Sequence, residues 1–174
     1  MPSGASGVIR DADDDDADAV VDIFAFYVSE TTTTFETEPP SAEQWRTRWT
    51  SLRQQGWPVL VAELEGVVVG FAYVGPWRDK PGYCCTMETT GYVAPAARGQ
   101  GLGARLASET HRRAQTAGAR EIVAVIADSG DPASLTLHCR LGFADVGLLR
   151  EVGRKFGRWI DVRLLQKSVA PGRD

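Results

Sequence analysis

A glycine-rich segment, Arg98-Gly99-Gln100-Gly101-Leu102-Gly103, is the part of the sequence best suited to bind a ligand. It follows a strand-like apolar run and precedes a segment with helical periodicity. Glycines let backbone N–H groups approach an anion closely, and the positive end of a helix dipole favours negative charge. The segment therefore predicts a pyrophosphate-binding turn at a helix N-terminus; the alternative is a tight turn with no ligand.

Two nucleotide-binding motifs can be compared with this turn. The spacing Gly99-x-Gly101-x-x-Ala104 satisfies a loose dinucleotide-binding fingerprint, and Asp128 follows the next predicted strand. However, about ninety residues precede the turn, whereas that fingerprint opens its domain. The motif G-x-x-x-x-G-K-[ST] does not occur in the chain, which excludes P-loop NTPases. The dinucleotide interpretation is therefore disfavoured.

Few side chains in the sequence are placed to carry acid–base chemistry. Glu88 is one of few acids in an apolar neighbourhood on the predicted strand before the turn, where it is either a functional carboxylate or an ordinary strand carboxylate that points to solvent. His138 lies on a predicted helix and titrates near neutral pH, although a lone histidine there is usually structural or exposed. His111 lies among arginines, and we expect it at the surface. Two distant histidines and no clustered cysteines predict no metal site.

The elements that position these residues follow from apolar periodicity and turn signals. An acidic run, Asp11–Asp18, suits a solvated patch at a helix start; Ser41 with Gln44 predicts a capping box; Glu65-Gly66 predicts a hairpin turn. Helices are predicted at about 11–29, 41–56, 102–117 and 133–141, and strands at 7–10, 59–64, 67–74, 84–93, 122–127, 143–150 and 159–165. This order predicts an α/β domain with a mixed sheet.

Length and composition are typical of one globular domain. The chain has 174 residues, of which 43% are apolar and 24% charged, which excludes extensive disorder, collagen and coiled coil. No apolar stretch approaches the roughly 18 residues of a membrane span, and the first residues do not resemble a secretory signal. Three cysteines, two of them adjacent, predict no disulfide framework and a cytoplasmic location.

The charge is unevenly distributed. The net charge is −4, but seven of the 23 acids lie between Asp11 and Asp22, and the other 16 face 19 bases. The remainder is mildly basic, which tolerates an anionic ligand but is far from a nucleic-acid-binding surface. We expect one domain over residues 8–167, with flexible tails at 1–7 and 168–174.

The spacing Arg98-x-x-Gly101-x-Gly103 resembles the acyl-CoA signature of the GNAT superfamily of N-acetyltransferases. Within that superfamily, the chain is similar to the phosphinothricin and methionine sulfoximine acetyltransferases. The segments that carry the similarity are Phe35–Pro39, Ala72–Arg78, Glu88–Val93, Val123–Ile126 and His138–Phe143. The resemblance spans about residues 8–166 and implies an α/β (α+β) fold with a mixed, mostly antiparallel sheet of about seven strands and about four flanking helices.

The resemblance also implies a set of functional residues and partners. Glu88 is the general base, His138 is a base, acid or substrate contact, and backbone N–H groups at Tyr92 or Val93 stabilise negative charge on the thioester carbonyl. Gly91 is expected to mark a bulge that frees such groups. Acetyl-CoA is the implied co-substrate, bound by Tyr92, Val93, Arg98, Gly99, Gln100, Gly101, Leu102, Gly103, Ala104 and Asp131. The implied substrate-binding residues are Phe35, Arg78, Lys80, Tyr83, Tyr92 and Val162.

The acceptor substrate implied is a small amine of the amino-acid type. Arg78 and Lys80 lie two residues apart in a loop bounded by glycine and proline, where they can face one anion or remain solvated loop charges. Asp131 stands where the superfamily usually has asparagine. The resemblance further implies a homodimer that confers resistance to herbicides or antibiotics. Two alternatives are an acetyltransferase for another small amine and a non-catalytic acyl-CoA-binding module.

Overall fold

A computed structural model describes residues 7–170 of the chain, which contain seven strands and four α-helices. The strands are β1 (Val8–Asp11), β2 (Val59–Leu64), β3 (Val67–Pro76), β4 (Thr86–Val93), β5 (Glu121–Ala127), β6 (Ala144–Lys155) and β7 (Arg158–Ser168). The helices are α1 (Ala17–Glu30), α2 (Ala42–Gln54), α3 (Leu102–Thr116) and α4 (Ala133–Arg140). The strands form one sheet in the order β1-β2-β3-β4-β5-β7-β6. The predicted fold class is therefore confirmed.

The helices cover both faces of the sheet with separate apolar clusters. On the face of α1 and α2, Phe24 and Trp45 pack against Phe71 of β3. On the opposite face, Ala114 of α3 packs in one cluster with Met87 of β4. Burying a large apolar side chain contributes about 1.5–3 kcal/mol, so these two clusters hold the helices on the sheet.

The sheet divides between β4 and β5, its one parallel pair. β4 pairs with β5 only over Thr86–Glu88, whereas its antiparallel pairing with β3 continues to Val93. Beyond Glu88 the two parallel strands are no longer paired, and this unpaired stretch between them is called the gap. The pairing with β3 stays in register through Gly91, so the predicted bulge at that glycine is wrong. The loss of β5 as a neighbour is what frees this edge of β4.

The acidic segment before α1 is more than a solvated patch. Asp13 caps a short 3₁₀ turn, and Asp16 behind it is 7% exposed. Asp16 receives two hydrogen bonds of 2.7 Å from the Arg10 guanidinium, which also binds Glu63 of β2. The Arg10 hydrogen bonds hold the pKa of Asp16 below its usual value, although burial acts in the opposite direction. The predicted position of the acidic run at a helix start is therefore confirmed by the Asp13 cap, whereas its interpretation as a solvated patch is wrong at Asp16.

The last two strands form a longer hairpin than predicted. β6 continues to Lys155 and β7 begins at Arg158. The prediction ended β6 too early because the pairing is irregular between Leu149 and Gly153, which interrupts the alternation that marks a strand in sequence. The predicted tail boundaries also need correction, because contacts with distant residues order both ends of the domain. Ser168 pairs with Glu121, Val169 is buried, and the buried Gly7 accepts a hydrogen bond from Arg105. Residues 1–6 and 171–174 of the predicted tails lie outside the described residues.

Candidate active site

The glycine-rich turn forms an open cradle at the beginning of α3. Gly99 and Gly101 have φ values of 76° and 75°, a left-handed conformation that favours glycine. A Cβ atom built on either residue meets nothing within 4 Å, so the backbone is open to a ligand. Gly103 differs, because a Cβ atom there would make an ordinary van der Waals contact, 3.7 Å from the Val93 side chain. Of the other predicted cofactor residues, Gln100 is exposed, Leu102 is buried and Ala104 is half-buried.

Contacts with α1 tie this cradle to the end of β4. The Arg98 guanidinium stacks 5.1 Å from the ring of Tyr27, and its Nε donates to the Tyr27 hydroxyl at 3.3 Å. That hydroxyl donates in turn to the Val93 carbonyl at 2.5 Å. Two successive hydrogen bonds therefore connect Arg98 in the cradle to Val93, the last residue of β4.

The strand register identifies which backbone donor faces the gap. The Ala94 N–H donates to the Val69 carbonyl, so Ala94 points toward β3. Because backbone direction alternates along a strand, the Tyr92 N–H also points toward β3 and the Val93 N–H points to the open side. Of the two predicted donors, Val93 is therefore the one whose N–H the geometry leaves available.

Glu88 lies at the position where the gap begins. Since Met87 points into the cluster under α3, the next residue points to the opposite face, the one covered by α1 and α2. The Glu88 carboxyl is half-buried, and burial raises its pKa, while the nearby Arg78 guanidinium lowers it. A carboxyl with a raised pKa is better matched to proton abstraction near neutral pH than an ordinary one.

His138 occupies the other face, on α4. Its ring lies 5.0 Å from Phe143, which belongs to the same apolar cluster as Met87. Its Nδ1 is 2.8 Å from the Ser134 carbonyl; a carbonyl only accepts, so Nδ1 carries the proton. Burial lowers the pKa of His138, which favours the neutral ring with a free lone pair on Nε2. Among residues 7–170, no hydrogen bond joins this ring to Glu88.

His111 contradicts the prediction that it lies at the surface. It is 3% exposed, and its Nε2 lies 3.0 Å from the hydroxyl of Thr89, the first residue of β4 beyond the paired segment. Its Nδ1 is buried and has no partner in the described part of the chain. Burial, with smaller contributions from Lys167 and His138, lowers the pKa of His111 to about 4. The ring is therefore neutral at pH 7, and its hydrogen bond to Thr89 links α3 to β4.

The basic loop residues lie where a substrate can reach them. Arg78 is exposed, stacks 4.1 Å from the Trp77 ring and lies close enough to Glu88 to affect its pKa. Lys80 and Tyr83 are exposed on the same loop, which the Trp77 N–H closes by donating to the Thr86 carbonyl. The structure thus brings Arg78 near the candidate base, whereas Lys80 has no comparable contact among residues 7–170.

The remaining predicted substrate residues have different environments. Phe35 is 39% exposed, and its ring lies directly on the backbone of Gly153 in β6. Tyr92 packs against Phe24 and two further aromatic rings, and its burial raises its pKa. Val162 is 3% exposed within a small cluster on β7, so its side chain presents little surface to a ligand.

Lys155, which no sequence pattern marks as functional, holds the loop that carries Phe35. Its side chain is 6% exposed, and its Nζ donates to the Thr34 carbonyl at 2.9 Å and the Tyr27 carbonyl at 3.4 Å. Burial lowers the pKa of Lys155, and the negative charge of Glu36 acts against this effect. No local pattern marks this lysine, because its partners lie more than 120 residues away in sequence.

Asp131 has a structural contact of its own. Its carboxylate accepts a hydrogen bond of 2.9 Å from the Ala133 N–H at the start of α4. This bond satisfies the first of the free backbone N–H groups at the start of the helix. Its predicted contact with a cofactor stays a prediction.

No group of three or more histidine, cysteine, aspartate or glutamate side chains that could hold a metal ion occurs among the described residues. Within the same range, no helix is both long and apolar enough to span a bilayer. Cys84, Cys85 and Cys139 are all free thiols.

The site as a whole fits coenzyme A. The cradle offers open backbone and the N-terminus of a 15-residue helix to a pyrophosphate, and the unpaired edge of β4 at Val93 is where the acyl end of the carrier would lie. When bound, acetyl-CoA supplies the activated acetyl group. The geometry is that of a transferase that takes an acyl group from this carrier.

Comparison with known proteins establishes the family. The Acetyltransferase (GNAT) family profile matches residues 20–143, and the chain belongs to that family. The chain is 40% identical over 164 residues to the phosphinothricin N-acetyltransferase of Alcaligenes faecalis, covering 94% of this chain and 83% of the relative. It is 39% identical to the L-methionine sulfoximine/L-methionine sulfone acetyltransferase of Pseudomonas paraeruginosa, covering 97% and 98%.

A solved structure gives the same result. The GNAT superfamily phosphinothricin acetyltransferase of Sinorhizobium meliloti, in complex with acetyl-CoA, superposes with a TM-score of 0.89 at 35% identity, over 94% of this chain and 88% of that one. The predicted resemblance is confirmed, and the chain is an acetyl-CoA-dependent N-acetyltransferase.

Proposed function

We propose that this enzyme acetylates the amine of a small amino-acid substrate of the phosphinothricin or methionine sulfoximine type. The observation that carries the proposal is the position of Glu88, half-buried at the start of the gap and within electrostatic reach of Arg78. An amino-acid substrate has an amine to be deprotonated and an anionic group to be bound, and these two side chains match the two needs. The relatives named above support the same substrate class.

In the proposed mechanism, Glu88 removes a proton from the substrate ammonium, directly or through water. The free amine then attacks the thioester carbonyl in the gap and forms the N–C bond. The C–S bond breaks, and the departing thiolate becomes the free thiol with the second proton that the attacking nitrogen gives up. The Val93 N–H, pointing to the open side, donates to the oxygen on which negative charge develops. Such a fixed donor is worth about 2.7–4 kcal/mol of the barrier in other acyl transfers.

We propose that His138 acts as a base or as a substrate contact from the other side of the gap. Its Nδ1–H is committed to Ser134, so its free Nε2 lone pair can accept a proton or bind a donor of the substrate. The lowered pKa favours this neutral form over a general acid. Among the three roles left open by the sequence, we therefore favour base or substrate contact.

The assay follows free thiol released from acetyl-CoA with a panel of amines. We expect phosphinothricin and methionine sulfoximine to give higher kcat/KM values than a simple uncharged amine of similar size. Replacing Arg78 by alanine should raise KM for the amino acids and leave the simple amine unaffected, and Arg120→Ala serves as a control on the exposed surface. Equal effects on both kinds of amine would return Arg78 to the role of a solvated loop charge. A higher kcat/KM for a different amine would favour the alternative substrate class.

We also propose a homodimer formed through the β6–β7 hairpin. β6 is an edge strand of the sheet, and its hairpin exposes several large apolar side chains. They are Val146, Leu148, Leu149, Val152, Phe156 and Trp159. A long apolar edge is an aggregation hazard unless another chain covers it. Sedimentation of the parent and of Val152→Glu tests this, with dissociation to monomer expected for the variant.

A single domain over about residues 8–169 and a cytoplasmic location complete the proposal. Three free thiols suit a reducing compartment, where acetyl-CoA is available. Acetylation of an amino-acid herbicide or antibiotic would remove its ammonium charge, and expression of the enzyme in a sensitive host tests for resistance.

A further inference from the structure

Cys84 and Cys85 form a pair of thiols directly before β4, and the proposed mechanism uses neither. Their Sγ atoms lie 3.4 Å apart; Cys84 is exposed and Cys85 partly so. Neighbouring side chains on a strand point to opposite faces, but these residues precede the strand. The helical backbone of Cys84, with φ −52° and ψ −22°, turns the two side chains to the same side.

A disulfide fits this pair poorly. Adjacent Cα atoms are about 3.8 Å apart, below the roughly 4.4–6.8 Å found across disulfides. The sulfur atoms would also have to approach from 3.4 Å to about 2.0 Å, which requires the turn to distort. The reduced pair is therefore the form that this backbone favours.

A tetrahedral metal ion such as zinc also fits poorly. Zinc in proteins takes four ligands, and no third histidine, cysteine, aspartate or glutamate joins this pair within residues 7–170. With bonds of about 2.3 Å to each sulfur, a separation of 3.4 Å corresponds to an angle of about 95° at the bound atom. That angle suits a three-coordinate, pyramidal atom that is bonded to two thiolates and to a third substituent not supplied by the protein.

We propose that Cys84 and Cys85 form a dithiol site for monosubstituted trivalent arsenicals, R–As(III). In the binding step, R–As=O reacts with the two thiols and two As–S bonds form. The oxygen leaves as water with the two thiol protons, and no electrons are transferred. Cys139, the other free thiol, lies on α4 without a neighbouring cysteine and cannot form this chelate.

The site lies beside the substrate loop and is tied to it by backbone hydrogen bonds. The Cys84 N–H donates to the Pro81 carbonyl, and the Cys85 carbonyl accepts from the N–H groups of Arg120 and Glu121 at 2.8 and 3.3 Å. A ring closed through both sulfur atoms therefore stiffens the turn between the loop of Lys80 and the paired start of β5. We expect a change in KM for the amine and little change in acetyl-CoA affinity.

Phenylarsine oxide is the probe, added to the reduced full-length protein and measured by intact mass and thiol titration. We expect one phenylarsenic group per chain and the loss of two of three titratable thiols. A 1,2-dithiol should release the group, whereas the same concentration of a monothiol should not. Cys84→Ser and Cys85→Ser should each bind the probe about 100-fold or more weakly, because the second bond forms intramolecularly only in the pair.

Cys139→Ser is the matched control and should bind the probe like the parent. Binding that survives Cys84→Ser, or that is lost in Cys139→Ser, would overturn the proposal. So would loss of two thiols and two hydrogens without any probe, because the pair would then be a disulfide. Intact mass does not depend on acetyl transfer, so this result is separate from the test of substrate class.

Discussion

Lowering the pH is expected to destabilise this protein through His111. The ring is 3% exposed, is linked to Thr89 through Nε2 and has no partner for its buried Nδ1. Burial lowers the pKa of His111 to about 4 in the folded protein, whereas an unfolded chain has a histidine pKa of about 6.5. Between these values the unfolded state binds a proton that the folded state excludes. The stabilisation is therefore present above pH 6.5 and is lost as pH falls toward 4.

The size of the effect follows from these two pKa values. One pKa unit is worth about 1.4 kcal/mol, so the full difference is about 3 kcal/mol. At pH 5 the unfolded histidine is mostly protonated and the folded one mostly neutral. The free energy of unfolding should therefore be about 2 kcal/mol lower at pH 5 than at pH 7.5 from this residue alone.

Urea denaturation of the parent and of His111→Leu between pH 7.5 and 5 measures this contribution. His138, whose pKa is also lowered by burial, and all the carboxyl groups are present in both proteins, so the difference between the two pH profiles isolates His111. We expect the parent to lose about 2 kcal/mol more than the variant over this range. Parallel profiles would show that the imidazole is solvated or charged in the folded protein, and the reasoning from burial would be wrong.

Four further outcomes follow from the site. Glu88→Gln cannot accept the ammonium proton, so kcat should fall by roughly 10² to 10⁴ while acetyl-CoA affinity measured by calorimetry stays the same. Gly101→Val should weaken acetyl-CoA binding through its φ of 75° and the blocked cradle, whereas Gly103→Ala, which makes only ordinary contacts, should bind normally. Lys155→Met leaves the Thr34 carbonyl without this donor and should cost about 1–3 kcal/mol of unfolding free energy and raise KM, whereas the exposed neighbour Arg154→Met should do neither. His138→Tyr should lose most activity, because a tyrosine hydroxyl is a poor proton acceptor at neutral pH; a variant as active as the parent at every pH would make His138 structural.

The parts of the fold predicted well from sequence are those specified by nearby residues. The capping box of Ser41 and Gln44 is present, with both of its hydrogen bonds. The hairpin turn at Glu65 and Gly66 has positive φ at both residues, as such turns require. The cradle at Gly101 was predictable for the same reason, since the glycines that set its backbone conformation and the start of α3 lie within a few residues of one another.

The parts missed depend on contacts between distant segments. His111 lies among arginines on α3, so its local pattern indicates a surface residue; its burial comes from Thr89 on β4 and from Phe143. Lys155 was missed for the same reason, because its hydrogen-bond partners lie on α1 and on the loop that follows α1. Charged and polar side chains follow the environment that the fold creates, and a single sequence does not encode that environment locally.

The gap between β4 and β5 makes the sheet two mechanical units. Strands β1–β4 and strands β5–β7 are joined by three paired positions, by the hydrogen bonds from Arg120 and Glu121 to the Cys85 carbonyl, and by the crossover through α3. Such a seam offers less resistance to a change of separation than a fully paired sheet, because few hydrogen bonds would be broken. The amide proton of Val93, without a strand partner on its open side, should exchange with solvent faster than that of Tyr92. A ligand that bridges the gap would couple the two units and slow that exchange. The exchange rate of the Val93 amide proton therefore measures whether the two parts of the sheet move together.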